Sequence, residues 1–557
     1  MKKVKSAQKN TALDILVPVK NEEKNVEELT KQINNALEPK NINYTLIFIV
    51  DKSTDNTLGV LQKLATKYPI KIYEKKGKTG KAYSILEGMD YTTNEFVAFI
   101  DGDLQYSPKY LPQMFEVISR DPKIGVVVGN RVVYKSSFIR RAGSRLNALI
   151  FGKFLLGLNC DIQSGLKVFR RDAIKHIDKS LVSPWTIDIP LLNAATQLGY
   201  NIASVDIEFE NRRAGQSKVG FVRTAFEIAK CAIKTKLKGK QLYEMPDGFV
   251  YNKKYYQTHT NLAHKNTALY VLVNHQKITI ILGLIVLIGG LIINPLATMV
   301  SLIAILSAIY FLDVLFNLYV VLKSLHFPPE IDVSSEKLAQ LNDADLPVYT
   351  IMCPLYKEAA VLPDFVKNVS QIDWPKDKLE VLLLLEIDDE VTRTLAEKMN
   401  LPEYIKIVTV PLSQPKTKPK ACNYGLKVAK GDFVVVYDAE DRPAFDQLKK
   451  AYIAFKEGNE KLFCVQAKLN YFNPHHNLLT RLFTAEYSLW FDVMLPGLQS
   501  INTTIPLGGT SNHFRTADLK SLSGWDPFNV TEDCDLGVRI FKEGYNTIII
   551  DSVTLEE

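Results

Sequence analysis

The chain has 557 residues, 46% hydrophobic and 23% charged, with a formal net charge of +7 at pH 7. That length suggests two or three domains, and the balance excludes a disordered chain or a small disulfide scaffold. The six cysteines (Cys160, Cys231, Cys353, Cys422, Cys464 and Cys534) are scattered without a CxxC pair, which argues against a zinc site and for reduced thiols used as small apolar residues.

The N-terminal stretch up to Val19 is basic but polar, and its apolar run is too short for a signal peptide. The first region is therefore expected in the cytoplasm. It opens with a predicted strand at Leu13–Val19, then a polar helical pattern, then strands at Leu46–Asp51, Ile70–Glu74, Phe96–Asp103 and Ile124–Asn130. Short β-branched runs alternating with longer amphipathic stretches indicate a largely parallel sheet covered by helices. Gly77–Ser84 (GKTGKAYS) lacks the spacing of a phosphate loop and reads as a helix start.

From 212 to 240 the chain is strongly basic, with Glu227 its one acid, and Val222, Phe226, Ala229, Ile233 and Leu237 fall on one helical face. This reads as an interfacial helix lying on an anionic bilayer. A linker follows at 241–276. Two uncharged runs come next, Ile278–Ile293 and Leu296–Leu312, separated by Asn294-Pro295. Each spans about 25 Å as a helix, and together they are too long for one crossing. A transmembrane hairpin at 277–323 is expected, with its turn at Asn294-Pro295. Lys277 flanks one end, and Lys323 with His326 the other, so the positive-inside rule puts both ends in the cytoplasm.

Beyond the hairpin the plan repeats over 324–557. Strands are predicted at Val348–Pro354, Glu380–Asp389, Ile405–Pro411 and Phe433–Asp441. In both halves a carboxylate cluster ends the fourth strand: Asp101 and Asp103 in the first, Asp438, Glu440 and Asp441 in the second. Ligands of open α/β sheets gather at the carboxyl ends of strands. Paired carboxylates there can hold Mg²⁺ or Mn²⁺, which neutralises a diphosphate leaving group. Asp51 and Asp389 end earlier strands on the same edge.

Two sets of motifs carry a resemblance. ILVPVKNEEKNV, IVDKSTDNT, GKAYSILEGM, FIDGDLQYSP, DIQSGLKVFRRDAI and NRRAGQSK resemble glycosyltransferase family 2 enzymes of the polyprenyl-phosphate (dolichol-phosphate-mannose) type. PLYKEAAVL, TKPKACNYGL, YDAEDRPAFDQL, PLGGTSNHFR, GWDPFNVTEDCDLGVRIFKEGY and DSVTLEE resemble the family's bacterial cellulose-synthase-like members. The resemblance implies two α/β GT-A domains, at 1–240 and 324–557, each binding a nucleoside diphosphate sugar. Donor contacts are implied at Pro18, Glu22, Asp51 and Lys81, and at Asp389, Lys420 and Asn423. Acceptor contacts are implied at Arg131, Arg141, Arg145, Arg212, Ser217 and Lys218, and at Asn512. Lys52 after Asp51, Pro190 in DIPLL and Glu440 in the second cluster depart from the family pattern. The QxxRW motif expected after TED is missing before Glu557, which suggests a fragment.

The two halves imply different chemistry. A hydroxyl acceptor needs a base, and Asp533, beside Glu532 in Thr531-Glu532-Asp533, supplies one. A phosphate acceptor needs cations instead, and arginine forks fit its oxygens. The expected enzyme is thus an inverting hexosyltransferase of the cytoplasmic membrane. Its first half would serve a polyprenyl phosphate and its second a growing saccharide, with the lipid bilayer as partner and no nucleic acid. The alternative is a catalytically inactive first half that binds lipid or a partner.

Overall fold

The computed structural model describes residues 12–134, 148–210, 221–239, 241–245, 247–326, 331 and 333–556. They form two compact units, Met1–Tyr256 and Gln257–Glu557.

The first unit is built on strands β1 (Ala12–Val19), β2 (Asn43–Val50), β3 (Ile70–Glu74), β4 (Phe96–Ile100), β5 (Ile124–Tyr134), β6 (Leu166–Arg170) and β7 (Asn201–Phe209), in the order β3-β2-β1-β4-β6-β5-β7. β1, β2, β3 and β4 pair in parallel, whereas β6 runs antiparallel to both β4 and β5. Helices α1 (Val26–Leu37), α2 (Thr57–Leu64), α3 (Lys81–Met89), α4 (Leu111–Arg120) and α5 (Asp188–Gln197) cover the sheet, and α6 (Phe221–Lys238) follows it. The period of two in β1 decides which helix packs where. Leu13, Ile15 and Val17 face α1 and α4, while Leu16 faces the other cluster with α3 and α5. α1 buries Val26, Leu29, Ile33 and Leu37 completely, a stripe at helical spacing worth about 1.5–3 kcal/mol per side chain.

The second unit repeats this order. Strands β11 (Tyr349–Leu355), β12 (Leu379–Glu386), β13 (Ile405–Val410), β14 (Phe433–Val436), β16 (Leu462–Tyr471), β17 (Asn512–Arg515) and β18 (Asn546–Glu556) lie as β13-β12-β11-β14-β17-β16-β18, with the short β15 (Arg442–Pro443) added at the edge. Strand for strand this is the first sheet again, including the switch to antiparallel pairing after β14. The architectural duplication expected from the carboxylate clusters therefore extends through the whole sheet.

The stretch 241–276, read as a linker, is structured. β8 (Leu242–Met245), β9 (Gly248–Tyr251) and β10 (Lys254–Tyr256) form a small antiparallel sheet in the first unit. Residues 257–268 lie on the second unit, where Gln257 N donates to Gln414 O at 2.9 Å.

Two helices then follow, α7 (Asn274–Ile293) and α8 (Pro295–His326), both long and apolar enough to cross a membrane. They meet at the expected turn. Asn294 caps α8, its Oδ1 accepting from Ala297 N at 3.1 Å, and Pro295 takes the first helical position, where no amide is needed. The end of α8 is rooted in the second unit: Val320 is buried in its core, and its carbonyl lies so close to Gly497 that a Cβ there would sit 2.5 Å away. Gly497 belongs to α14 (Leu495–Ser500). Further helices of this unit include α9 (Leu362–Ser370), α10 (Glu390–Lys398), α11 (Lys418–Val428), α12 (Gln447–Glu457), α13 (Leu478–Ser488) and α15 (Glu532–Lys542).

Candidate functional site

In the first unit the carboxyl ends of β1, β2 and β4 border a cavity of about 990 Å³. Pro18, Glu22, Asp51, Lys81, Asp101 and Asp103, all singled out in the sequence, line it together. Asp51 follows β2 and is buried. Its Oδ2 accepts from Gly80 N at 2.8 Å and from Lys75 Nζ at 3.3 Å. Its Oδ1 has no protein partner among the described residues, so a buried acceptor is left for a ligand that can donate. Gly80 is required here: its φ is +129°, and a Cβ would strike Pro184 at 2.8 Å.

Asp101 follows β4, and Lys81, the first residue of α3, pairs with it at 2.5 Å. Burial raises the Asp101 carboxyl above the ordinary range, Lys81 opposes this, and Asp103 adds to the rise. Burial alone would lower the Lys81 ammonium, but Asp101 and Asp188 hold it above its usual value. Gly165 lies against this pair, since a Cβ would sit 2.2 Å from Asp101 Oδ2. The glycine of DIQSGLK thus lets the neighbouring strand approach the acid.

Asp188, missed in the sequence, also lines the cavity and is held by buried Lys167 at 2.6 Å. Its signal was the DIPLL segment, where Pro190 drew the notice instead. Arg131 is engaged by Asp161 through two bonds, 2.5 and 3.0 Å, and stacks 5.3 Å from the Phe209 ring. Arg141, Arg145, Arg212, Ser217 and Lys218 lie outside the described residues.

The second unit sets the same parts at the same places. Lys418, the first residue of α11, holds Asp438 at 2.7 Å and donates to Gly509 O at 2.6 Å. It corresponds to Lys81 on Asp101. Glu358, three residues beyond β11 as Glu22 is beyond β1, carries a carboxyl that burial, Glu440 and Asp438 push up to about 7. Glu556, on the last strand, is also raised to about 7 by burial, Asp438 and Glu440. Sequence reading missed Lys418, Glu358 and Glu556. The first stands two residues before Lys420 in TKPKACNYG, and the others carry no spacing signal of their own.

The remaining named residues take different places. Asp441 is fully buried, accepting from Asp438 N at 2.7 Å and from the Thr510 hydroxyl, and it braces the loop that presents Asp438 and exposed Glu440. Lys420 is buried on Glu386 at 2.6 Å. Asn423 clamps the backbone of Trp525, donating to its carbonyl at 2.8 Å and accepting from its amide at 3.0 Å. Asp389 caps α10 and accepts from Lys357 N at 2.5 Å. Asn512 donates to Gly508 O at 2.6 Å.

Asp533 and Glu532 open α15, where the helix dipole favours acids. The indole of Trp525 donates to Asp533 Oδ1 at 3.1 Å. Burial raises Asp533 well above the ordinary carboxylate range, with Glu532 and Asp438 adding and Lys418 opposing. Burial likewise raises Glu532. Among the described residues, no three His, Cys, Asp or Glu side chains converge as a ready-made metal cluster. Each cluster offers one or two hard oxygen donors, which suits a cation completed by substrate phosphates.

The half-parallel sheet, covered on both faces and carrying its carboxylates at strand ends, defines an α/β domain of the GT-A kind, and the chain holds two. Residues 14–178 match the model of "Glycosyl transferase family 2", and residues 347–557 that of "Glycosyltransferase like family 2". The chain thus carries two glycosyltransferase family 2 domains. It is 28% identical over 211 residues to the probable glycosyltransferase YdaM of Bacillus subtilis, covering 37% of this chain and 49% of that protein. It is 27% identical over 216 residues to the dolichol-phosphate mannosyltransferase of Pyrococcus furiosus, covering 37% of this chain and 59% of that protein. The chain thus spans about half the length of these relatives. Glucosyl-3-phosphoglycerate synthase of Mycobacterium tuberculosis, solved with Mn²⁺, uridine diphosphate and phosphoglyceric acid, is a remote likeness: 17% identity, TM-score 0.34, 43% of this chain and 86% of that chain.

Proposed function

We propose that the chain is a membrane-bound, inverting glycosyltransferase with two working sites, each taking a hexosyl group from a nucleoside diphosphate sugar. The observation that carries this reading is the repeated pair, Lys81 on Asp101 and Lys418 on Asp438, at one point of two copies of the fold. In each site the lysine and the acids would receive the diphosphate. Asp101 with Asp103, and Asp438 with Glu440, would hold Mg²⁺ or Mn²⁺, which supplies charge neutralisation at the leaving diphosphate.

The first domain serves a polyprenyl phosphate in this reading. Support comes from its likeness to the Pyrococcus furiosus dolichol-phosphate mannosyltransferase. The face of α6 expected to be interfacial adds to it, because Phe226, Ile233 and Leu237 are exposed beside exposed Lys230, Lys234 and Lys236. The second domain extends a saccharide, with Asp533 as the base for the acceptor hydroxyl. A carboxylate held above its ordinary range is a stronger base than one in water. Membrane attachment is read from α7 and α8. It is also read from α13, where Leu478, Leu479, Leu482 and Phe483 are exposed.

The test is transfer of labelled sugar by the full chain in membranes, partitioned between lipid and polymer. Asp101→Asn should abolish lipid labelling alone and Asp438→Asn polymer labelling alone. Full turnover in both variants would refute the assignment.

A further inference from the structure

Between the small sheet of the first unit and α7, the chain runs over the second unit as an irregular strap with one tight helical turn at His264–Asn266, and its anchors are not spread evenly. His259 packs edge-on against Tyr424, ring centroids 4.9 Å apart, next to Asn423. The Thr260 hydroxyl donates to Ser523 O. Ala268 N donates to Asp526 Oδ2 at 2.6 Å. The last two contacts bracket Trp525, whose indole holds Asp533.

The bracketed turn is one that needs holding. Ser523 and Gly524 both have φ of +65°, and the first is a residue that L-chirality disfavours there. A Cβ at Gly524 would sit 2.3 Å from Asn423 Oδ1, so the Asn423 clamp on Trp525 requires the glycine. Asp526 is buried, and its two oxygens are both used, Oδ1 by Phe528 N at 2.9 Å and Oδ2 by the strap. Arg539 ties the same turn to α15, donating to Gly524 O at 2.7 Å and Leu522 O at 3.0 Å. Asp533 sits on that helix. The indole is therefore located by the clamp from within the domain and by the strap from outside it, and five residues separate Ala268 from the start of α7.

We propose that residues 257–268 are a positioning strap for the second site, with Thr260 and Asp526 as positioning residues that set the Trp525 indole and, through it, the Asp533 carboxylate. This rests on the reading of Asp533 as base. The Thr260 and Asp526 contacts touch neither the Asp438 loop nor Lys418, so their loss should act on the chemical step and spare donor binding. A displaced base is costly because reactivity depends on alignment.

The test uses the full chain in membranes or nanodiscs. Thr260→Val deletes the hydroxyl at constant shape; Asp526→Ala removes both acceptors, and Asp526→Asn keeps one. Polymer synthesis should lose about tenfold in kcat in Thr260→Val and Asp526→Ala, with KM for the sugar nucleotide unchanged and Asp526→Asn intermediate. The chain has four tryptophans, so indole ¹⁵N labelling gives few resonances, and Trp525→Phe identifies the relevant one. That resonance should move in Thr260→Val and Asp526→Ala. An unmoved resonance, or a moved one with unchanged kcat, overturns the proposal, as does a rise in KM alone. Asp533→Asn is run beside them: if it is inactive while the strap variants are fully active, the strap role falls and the base stands. If Asp533→Asn is fully active, the base assignment falls and takes the strap role with it.

Discussion

A glycine and a histidine show how much single positions carry. Gly165 is the place where a methyl group would land 2.2 Å from Asp101 Oδ2. Gly165→Ala should therefore push the acid off Lys81 and lower lipid-directed transfer about 10²-fold while polymer synthesis stays unchanged; labelled transfer partitioned by solvent checks both. His259 is held down to about 4 by burial, with Lys427 and Lys420 adding to the drop from 6.5. A lowered histidine favours its neutral form in the fold. Its contribution is whole above pH 6.5 and is lost as pH falls from there towards 4. The thermal midpoint of the second unit should therefore drop further between pH 6.5 and 4.5 in the wild type than in His259→Gln. The excess should be about a degree or two, discounted because the ring is only partly buried. At this scale the sequence was legible where a residue ends a strand, as with Asp51, Asp101 and Asp438. It said less where two like residues stand close, since Lys418 and Lys420, two positions apart on α11, pair with different acids, Asp438 and Glu386. Glu556 was invisible because its place in the site comes from β18 pairing with β16 across the sheet.

Among the elements, the parallel half of each sheet was readable. Ile70–Glu74 is β3 as predicted, and the other early strands differ by a few residues at their ends. Beyond β5, which Ile124–Asn130 anticipates, the antiparallel half was not. β6 is five residues with a buried lysine, and β17 is four with buried Asn512 and His513, so neither shows an apolar run to find. On α6, three of the five residues read onto one face, Phe226, Ile233 and Leu237, are exposed, Ala229 is part-buried and the Val222 side chain lies outside the described residues, while Ile228, Cys231, Ala232 and Thr235 pack inward. Phe226→Glu with Leu237→Glu should therefore reduce lipid labelling several-fold at fixed polyprenyl phosphate, as two apolar anchors worth roughly 1.5–3 kcal/mol each at most are replaced by repelled charges. Donor binding, read by calorimetry with the sugar nucleotide, should not change.

For the whole molecule, the duplication and the hairpin fit together only if both domains meet their nucleotides in one compartment. With the turn at Asn294-Pro295 on the far side, an Asn294→Cys variant should react with impermeant maleimide in intact cells, and Ser335→Cys only after lysis. The six native cysteines are free, and four of them are buried, which keeps the background low. Labelling of Ser335→Cys in intact cells would refute the hairpin.

The paired lysines also bear on the order in which ligands arrive. While Lys81 sits on Asp101 and Lys418 on Asp438, each acid already has its own cation beside it, tethered and in place. A free divalent ion must evict it and gains little net charge by doing so. A diphosphate changes the balance, because it offers the ammonium somewhere else to go. Metal and nucleotide are then expected to enter as a single ion rather than in sequence. In titrations followed by electron spin resonance, Mn²⁺ alone should bind weakly, and its affinity should rise about tenfold or more when a nucleoside diphosphate is present, in accord with the reciprocity of linked binding. A site of this kind would be self-stoppered, its lysine standing on the acid until a diphosphate draws it away.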